Sequence, residues 1–276
     1  MTRRCSERRF FLRPDPTTRQ IFEYVLALAC TQHEMQLHAF VMMSNHYHLV
    51  VTDPHGHISD FEQQFNSLVA RALNQYLGRD GSLWDPDSFN GVELLDEEAV
   101  VERLAYVHAN PVTAHLVKRA LHWDATSAGL AFGERRSVER PRVFFSESMP
   151  QQTTLELVRP RVFMHLNDEA LARSIRERVI QAENQSVTDG AVLGMRRVLA
   201  QHWNDSPPRK PREHHIRPRV AAACAKTRAL ALQAYRAWLE SYADAIRRFC
   251  EGQRDVMFPL GTYWMTVRLG CPGMPP

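Results

Sequence analysis

The sequence predicts a protein of the α+β class, with strands and helices in separate stretches of the chain. Residues Leu37 to Thr52 are rich in β-branched and apolar side chains, which is typical of a strand or a bent strand. An apolar stripe at helical spacing, from Phe61 to Tyr76, follows the capping-box pair Ser59 and Glu62. A long helix is predicted from Ala221 to Gly252, where apolar residues again recur at helical spacing.

Shorter patterns predict the remaining elements. The end of a short strand is predicted over Phe10–Arg13, and a helix carrying Ile21 and Val25 follows it. A helix that starts after Asp96 is expected to bend or stop near Asn110, because Pro111 disfavours the helical conformation of the residue before it. Further strands are predicted over Val143–Phe145, Thr153–Phe163 and Met257–Leu269, and further helices over Asp168–Gln185 and Met195–His202.

A change in composition suggests where the chain divides. The stretch from Asp124 to Arg142 is rich in glycine, serine and charged residues, as linkers are. We therefore expect a first domain over residues 1–123, a linker over 124–141 and a C-terminal α+β lobe over 142–276.

The composition is that of a protein with a buried core and little net charge. The 276 residues are 44% hydrophobic and 24% charged, which suffices for a buried core, and the net charge of +3 restricts any nucleic-acid surface to local patches. No apolar run approaches the roughly 18 residues that cross a bilayer. The five cysteines are widely spaced and form no C-x-x-C pair, so we expect a cytoplasmic protein without a membrane partner.

The first candidate site is the histidine pair in the predicted strand. Residues two apart in a strand point to the same face, so His46 and His48 project together while Tyr47 faces the other way. Two imidazoles on one face can bind a metal ion. The alternative is that they are polar residues on a half-buried strand, a common outcome for so short a pattern.

The second candidate site lies in the helix before Pro111. Tyr106 and Asn110 are four residues apart, so a helix places them on one face. A tyrosine hydroxyl can attack phosphorus, and an amide oxygen can bind a hard cation such as Mg²⁺. Alternatively, Tyr106 is a core residue with an exposed hydroxyl.

Together, the two segments resemble the REP-associated tyrosine transposases, which belong to the HUH group of single-strand transposases and nucleases. The resemblance rests on HAFVMMSNHYHLVV at His38 to Val51 and LAYVHANPVTAHLV at Leu104 to Val117, with FNSLVARAL at Phe65 to Leu73 between them. It covers roughly residues 1 to 120, and the order and spacing of the segments agree with the family.

The resemblance implies a fold and a reaction. The fold is a ferredoxin-like antiparallel sheet with helices packed on one face. His46, His48 and Asn110 would bind a divalent metal, Mg²⁺ or Mn²⁺, and Tyr106 would be the nucleophile. The enzyme would cut and rejoin single-stranded DNA at hairpin-flanked sites through a 5′-phosphotyrosine intermediate.

The chain departs from the family pattern in two places. Family members usually have a strand before the Thr-Arg-Arg segment, whereas this sequence starts at Met1, so we expect a weaker sheet beside the histidines. The family also often has arginine and glycine where this chain has Thr113 and His115, which would remove a phosphate contact.

Two basic segments are candidates for DNA binding. The first is N-terminal and contains Arg3, Arg4, Arg8 and Arg9. The second, within Arg196 to Arg228, includes Arg196, Arg197, Arg209, Lys210, Arg212, Arg217 and Arg219. Such runs neutralise phosphates, although a solvated basic loop has the same composition. The expected partner is single-stranded or hairpin DNA, bound by a monomer or a homodimer.

Two other functions remain open at this point. A domesticated relative would bind DNA without cleaving it. A metal-dependent phosphodiesterase would use water as the nucleophile, with Tyr106 in a structural role. A covalent protein–DNA adduct would separate the transposase-like reaction from both.

Overall fold

The computed structural model describes residues 1–86, 88–208, 219–262, 265–266 and 269–273. Its strands are β1 (Thr2–Arg4), β2 (Gln36–Met43), β3 (His46–Thr52), β4 (Glu93–Leu94), β5 (Arg135–Glu139), β6 (Gln152–Glu156) and β7 (Val220–Ala221). Its α-helices are α1 (Pro16–Gln32), α2 (Ile58–Leu77), α3 (Glu97–Thr113), α4 (Asp168–Asp189), α5 (Met195–Ala200) and α6 (Ala225–Cys250). No helix among the described residues is both long enough and apolar enough to cross a membrane.

The central element is an antiparallel sheet with the strand order β1-β3-β2, which confirms the predicted α+β class. The histidine strand β3 lies in the middle and pairs with β2 through His46 and Met43. On its other side it pairs with β1, where Thr2 faces His48 and Arg4 faces His46. The expectation of a weakened sheet is therefore wrong, because Thr2–Arg4 itself forms the strand beside the histidines.

One face of this sheet is covered by α1 and α2, as predicted. Tyr47 points into this side and is fully buried, with its ring 5.8 Å from that of Phe22 in α1 and 5.3 Å from that of Phe65 in α2. The Tyr47 hydroxyl donates a hydrogen bond of 2.9 Å to the side-chain oxygen of Asn66. Tyr47 is thus a core residue whose polar end has a partner.

The resemblance implies helices on one face only, but the opposite face of the sheet is contacted by α3. Because side chains alternate along β3, His48 points away from Tyr47 and towards this helix. The ring of His48 lies 5.3 Å from the ring of Tyr106 in α3. The two sequence segments that carry the family resemblance therefore meet on this face.

Helix α3 does not stop at Asn110 but continues through Pro111 to Thr113. A proline removes one backbone donor, yet this one lies in the last turn and the Asn110 carbonyl still accepts from Ala114 N at 3.0 Å. The helix also packs along α4 and against β2, and these contacts stabilise it although proline disfavours the helical conformation of the residue before it.

The predicted strand end at Phe10–Arg13 is wrong. The segment forms a turn, in which Leu12 N donates to Ser44 O at 2.9 Å.

The segment predicted as a linker packs against the sheet. Met42 N donates to Ala125 O at 2.9 Å, and the buried Ser127 accepts a hydrogen bond of the same length from Phe40 N. Further along, β5 pairs with β6, and both strands contact α1. Polar composition suggested a linker here, but these polar groups have partners in the fold.

The chain divides into two compact units, but the boundary between them does not lie at the predicted linker, residues 124–141. The first unit contains residues 1–92 and 97–219, and the second contains 93–96 and 220–276. The predicted second lobe is thus split, because β6, α4 and α5 belong with the sheet that carries the histidines. The pairing of β5 with β6 and the packing of α4 on α3 account for this division.

The second unit contains β4, β7 and α6. The two short strands pair in parallel, and Asp96 accepts a hydrogen bond from Cys224 N at 3.0 Å just before α6. A small buried cluster joins Ala245 of α6 to later residues of the chain, namely Val256, Phe258, Met265 and Cys271. Where Met257–Leu269 was predicted to form a strand pair, the described residues show one isolated bridge, between Phe258 and Gly273.

Candidate active site

The two histidines of β3 lie side by side on the face that α3 contacts. The ring centroids of His46 and His48 are 5.0 Å apart, and the rings are nearly perpendicular. Both side chains are half-buried. The two-residue repeat of a strand therefore brings the imidazoles together, as the spacing predicts.

Both histidines are held in their neutral form. Burial, together with the neighbouring His46 and Arg103, lowers the pKa of His48 to about 2. Burial, with added repulsion from Arg4 and Arg8, lowers the pKa of His46 to about 4. Neutral imidazoles carry a free nitrogen lone pair, which is the form that binds metal ions.

The side chain of Asn45, which the sequence analysis did not single out, contacts His46. Its Oδ1 lies 2.7 Å from Nδ1 of His46, and its Nδ2 donates to the backbone oxygen of Arg8 at 3.1 Å. Asn45 directly precedes β3, so its adjacency to His46 was visible in the sequence. The contact with Arg8 was not, because it joins residues 37 positions apart.

Tyr106 lies on α3 beside the histidines and is accessible to solvent. Its side chain is 42% exposed, and its ring meets that of His48 nearly edge to face at a centroid distance of 5.3 Å. The tyrosine at this site is thus accessible to a large substrate, unlike the buried Tyr47.

Arg103 is a second residue that the sequence analysis missed. Its guanidinium carbon lies 5.1 Å from the centroid of the Tyr106 ring, within the range of a cation–π contact. Arg103 precedes Tyr106 by three residues, the spacing that stacks side chains on one helix face, and this spacing was the available signal. The arrangement places a positive charge beside both Tyr106 and His48.

Asn110 lies one helical turn after Tyr106 and is buried, with 6% of its surface exposed. In the described part of the chain, no hydrogen bond links its side-chain amide to either histidine. Also among the described residues, no third His, Cys, Asp or Glu joins the pair in a metal-binding cluster. The structure thus brings Tyr106 to the histidines and leaves the role assigned to Asn110 as a prediction.

The N-terminal arginines do not share one environment. Arg4 pairs with His46 across the sheet, and Arg8 lies close enough to His46 to influence its pKa. By contrast, Arg3 is 3.3 Å from the Glu62 carboxylate and lies against the ring of Trp84, on the core side of the sheet. Arg9 is 2.6 Å from the carboxylate of Glu7. Arg4 and Arg8 are therefore the members nearest the site.

The second basic segment is only partly described. Arg196 and Arg197 are exposed on α5, and Arg219 is exposed just before β7. The other predicted DNA contacts, Arg209, Lys210, Arg212 and Arg217, lie outside the described residues.

The antiparallel sheet that the resemblance implies is present, and its middle strand presents the paired histidines to α3. Comparison with known families agrees, since residues 2–93 match the model of the family described as "Transposase IS200 like". The family resemblance is thereby confirmed for the segment from β1 to the start of β4, which contains His46 and His48. Tyr106 and Asn110 lie beyond the matched residues.

No curated protein matches the chain. Among solved structures, the chain is similar to a REP-associated tyrosine transposase bound to a REP hairpin, with 15% sequence identity and a TM-score of 0.37. That similarity covers 46% of this chain and 73% of the other.

Proposed function

We propose that the protein is a transposase-like endonuclease and strand transferase that acts on single-stranded DNA at hairpin-flanked sites. The observation that carries the proposal is the contact between the paired histidines of β3 and the exposed Tyr106 of α3. A core tyrosine would be buried, whereas Tyr106 is 42% exposed beside two neutral imidazoles. The match to the IS200-like transposase family over residues 2–93 supports the same class of reaction.

The donor groups fit a divalent metal, Mg²⁺ or Mn²⁺, although they form an incomplete set. His46 and His48 are neutral and adjacent, so each can offer a nitrogen lone pair. Asn110 would supply an oxygen, and the remaining ligands would come from the phosphate and water. When bound, the metal would act as a Lewis acid towards a non-bridging phosphate oxygen.

Tyr106 would carry out the covalent step. Its phenol oxygen attacks the phosphorus while the bond from phosphorus to the 3′ oxygen breaks. The phenol proton is released, and the departing oxygen takes up a proton and becomes a free 3′-hydroxyl. The product is a 5′-phosphotyrosine, which conserves the bond energy so that another 3′-hydroxyl can reverse the reaction without ATP.

Arg103 would bind the phosphate during this step. A guanidinium binds phosphate oxygens through charge-assisted hydrogen bonds, and this one lies beside the ring of the proposed nucleophile. The half-buried position of Arg103 reduces competition from water. Arg103 therefore helps to hold the phosphate against Tyr106 as negative charge builds up on the oxygens.

DNA would be held by surfaces outside the reacting groups. Arg4 and Arg8 lie next to the histidines, and Arg196 and Arg197 are exposed on α5. We propose that residues 1–123 carry the chemistry and that residues from 142 onward contribute to DNA binding. The protein would work in the cytoplasm as a monomer or a homodimer.

Trapping of the covalent intermediate tests the proposal. The full chain is incubated with single-stranded hairpin DNA and Mn²⁺, and a protein–DNA adduct that survives denaturation is sought and mapped by mass spectrometry. We expect the adduct on Tyr106 in the wild type and in Tyr47→Phe, and none in Tyr106→Phe. Cleavage without any adduct would favour attack by water, and binding without cleavage would favour a DNA-binding protein.

A further inference from the structure

We propose that the side-chain amide of Asn45 sets the tautomer of His46, so that Nε2 of that ring is the nitrogen offered to a metal ion. The metal-binding part of this inference rests on the proposed function, whereas the tautomer can be measured without any metal. Asn45 is therefore assigned as a positioning residue that acts through His46.

The orientation of the Asn45 amide follows from its second partner. A backbone carbonyl can only accept hydrogen bonds, so the group facing the Arg8 oxygen at 3.1 Å must be the NH₂ of Asn45. The reversed amide would place two oxygens against each other at that distance. The carbonyl oxygen of the Asn45 side chain must then face His46.

The orientation of the amide in turn fixes the proton on His46. An amide oxygen can only accept, and it lies 2.7 Å from Nδ1 of His46, so Nδ1 carries the hydrogen. A neutral imidazole has one N–H and one lone pair, and the lone pair is then on Nε2. The carbonyl of Arg8 thereby determines, through Asn45, which nitrogen of His46 is free.

The Arg8 carbonyl is held in place by an unusual loop. Glu7 and Arg8 have φ angles of 54° and 58°, in the left-handed region that residues other than glycine seldom adopt. The loop is held by hydrogen bonds from Cys5 N to Asn45 O at 2.8 Å and from Ser6 N to Leu83 O at 2.9 Å. Strained backbone of this kind persists where surrounding contacts determine it, and it is common at functional sites.

Nitrogen NMR of the histidine rings in the metal-free full chain tests the assignment. Long-range proton–nitrogen correlation spectra distinguish a ring protonated at Nδ1 from one protonated at Nε2. His38 provides an internal reference, because its Nδ1 faces the Val158 carbonyl at 2.6 Å and must also carry a proton. We expect His46 to show the same pattern as His38 in the wild type.

Two variants separate the effect of the amide oxygen from that of the residue as a whole. Asn45→Ala removes the acceptor, so His46 should gain the form protonated at Nε2, and the affinity for Mn²⁺ should fall about 10- to 100-fold. Asn45→Asp loses the donor to the Arg8 carbonyl but keeps an acceptor for Nδ1, so the wild-type tautomer should persist even though the loop at Arg8 loses this hydrogen bond. The spectrum of His38 should be unchanged in both variants.

The outcomes distinguish this inference from the proposed function. A wild-type His46 protonated at Nε2 would overturn the inference even if neither variant folds, and so would an Asn45→Ala variant with the wild-type tautomer and Mn²⁺ affinity. If the tautomer follows Asn45 as expected but the wild type binds no Mn²⁺, the positioning of His46 is supported and the proposed metal chemistry fails.

Discussion

The ring of His48 meets the ring of Tyr106 nearly edge to face, at a centroid distance of 5.3 Å, across the contact between β3 and α3. These residues are 58 positions apart in sequence, so their proximity is produced by the packing of α3 on the sheet. The contact places a solvent-accessible tyrosine next to neutral imidazoles.

Tyr106→Phe should abolish cleavage and adduct formation while leaving DNA binding nearly unchanged. The substitution removes only the hydroxyl, and the phenyl ring keeps its contacts with His48 and Arg103. Gel-shift and cleavage assays on the same hairpin DNA measure the two properties. Cleavage by Tyr106→Phe at a rate close to that of the wild type would exclude tyrosine as the nucleophile.

Tyr47→Phe, by contrast, should lower the stability of the fold and leave cleavage intact. The Tyr47 hydroxyl is buried and donates to Asn66, so its removal leaves a buried acceptor without its donor. The free energy of unfolding should fall by about 1–3 kcal/mol, as measured by urea denaturation. Cleavage by the folded variant should persist, because Tyr47 lies on the face of β3 away from the histidines. A loss of cleavage without a loss of stability would contradict this assignment.

The sequence was sufficient to predict the elements whose pattern is local. Strand alternation placed His46 and His48 together and Tyr47 on the other face, and helical spacing predicted that Tyr106 and Asn110 share a helix. These inferences need only the geometry of one strand or one helix. The histidine pair was therefore visible before the fold was known.

Features that depend on distant contacts could not be predicted. Pro111 predicts a bend or a stop near Asn110, yet α3 continues to Thr113, where its contacts with α4 and β2 outweigh one lost backbone hydrogen bond. The polar composition around Ser127 predicts a linker, but Ser127 is buried and accepts a hydrogen bond from the backbone N–H of Phe40. The carbonyl that orients Asn45 comes from a loop 37 residues earlier. Composition and periodicity contain no information on such partners.

Asn110→Ala should lower the rate of DNA cleavage, and added metal should partly restore it. The proposal assigns Asn110 as one ligand of a site that keeps His46 and His48 in this variant. Metal affinity should therefore fall on the order of tenfold, and the cleavage rate should recover as Mn²⁺ is raised. Tyr106→Phe is the control, because no metal concentration restores a missing nucleophile. A rate for Asn110→Ala that is low but independent of Mn²⁺ would contradict a ligand role.

The double substitution of Arg196 and Arg197 by glutamine should weaken DNA binding and reduce its dependence on salt. If each arginine contacts one phosphate, the slope of log affinity against log salt becomes shallower by about 1.4 for single-stranded DNA. The matched control is Arg135→Gln with Arg173→Gln, which removes the same charge from residues already paired with Glu156 and Glu169. Equal changes in both double variants would indicate a general charge effect rather than contacts from α5.

The stability of the metal-free protein should decrease as the pH falls from about 6.5 towards 4. Burial lowers the pKa of His46 and of His108 to about 4 and that of His48 to about 2, whereas the ordinary value in an unfolded chain is 6.5. The unfolded chain therefore binds protons in this range that the folded protein does not. Each histidine contributes stability that is fully present above pH 6.5 and is lost as the pH falls, by up to about 1.4 kcal/mol per pH unit.

His108→Gln isolates the contribution of one histidine away from the proposed nucleophile. His108 is held by burial and by a 3.1 Å contact between its Nε2 and the Ser127 hydroxyl. Urea denaturation in the presence of a chelator, at pH 7 and pH 5, should show a smaller loss of stability on acidification in this variant than in the wild type. Tyr47→Phe is the control, because it should lower the free energy of unfolding by a similar amount at both pH values. If His108→Gln loses as much stability on acidification as the wild type, His108 already binds its proton in the folded state near pH 6.5.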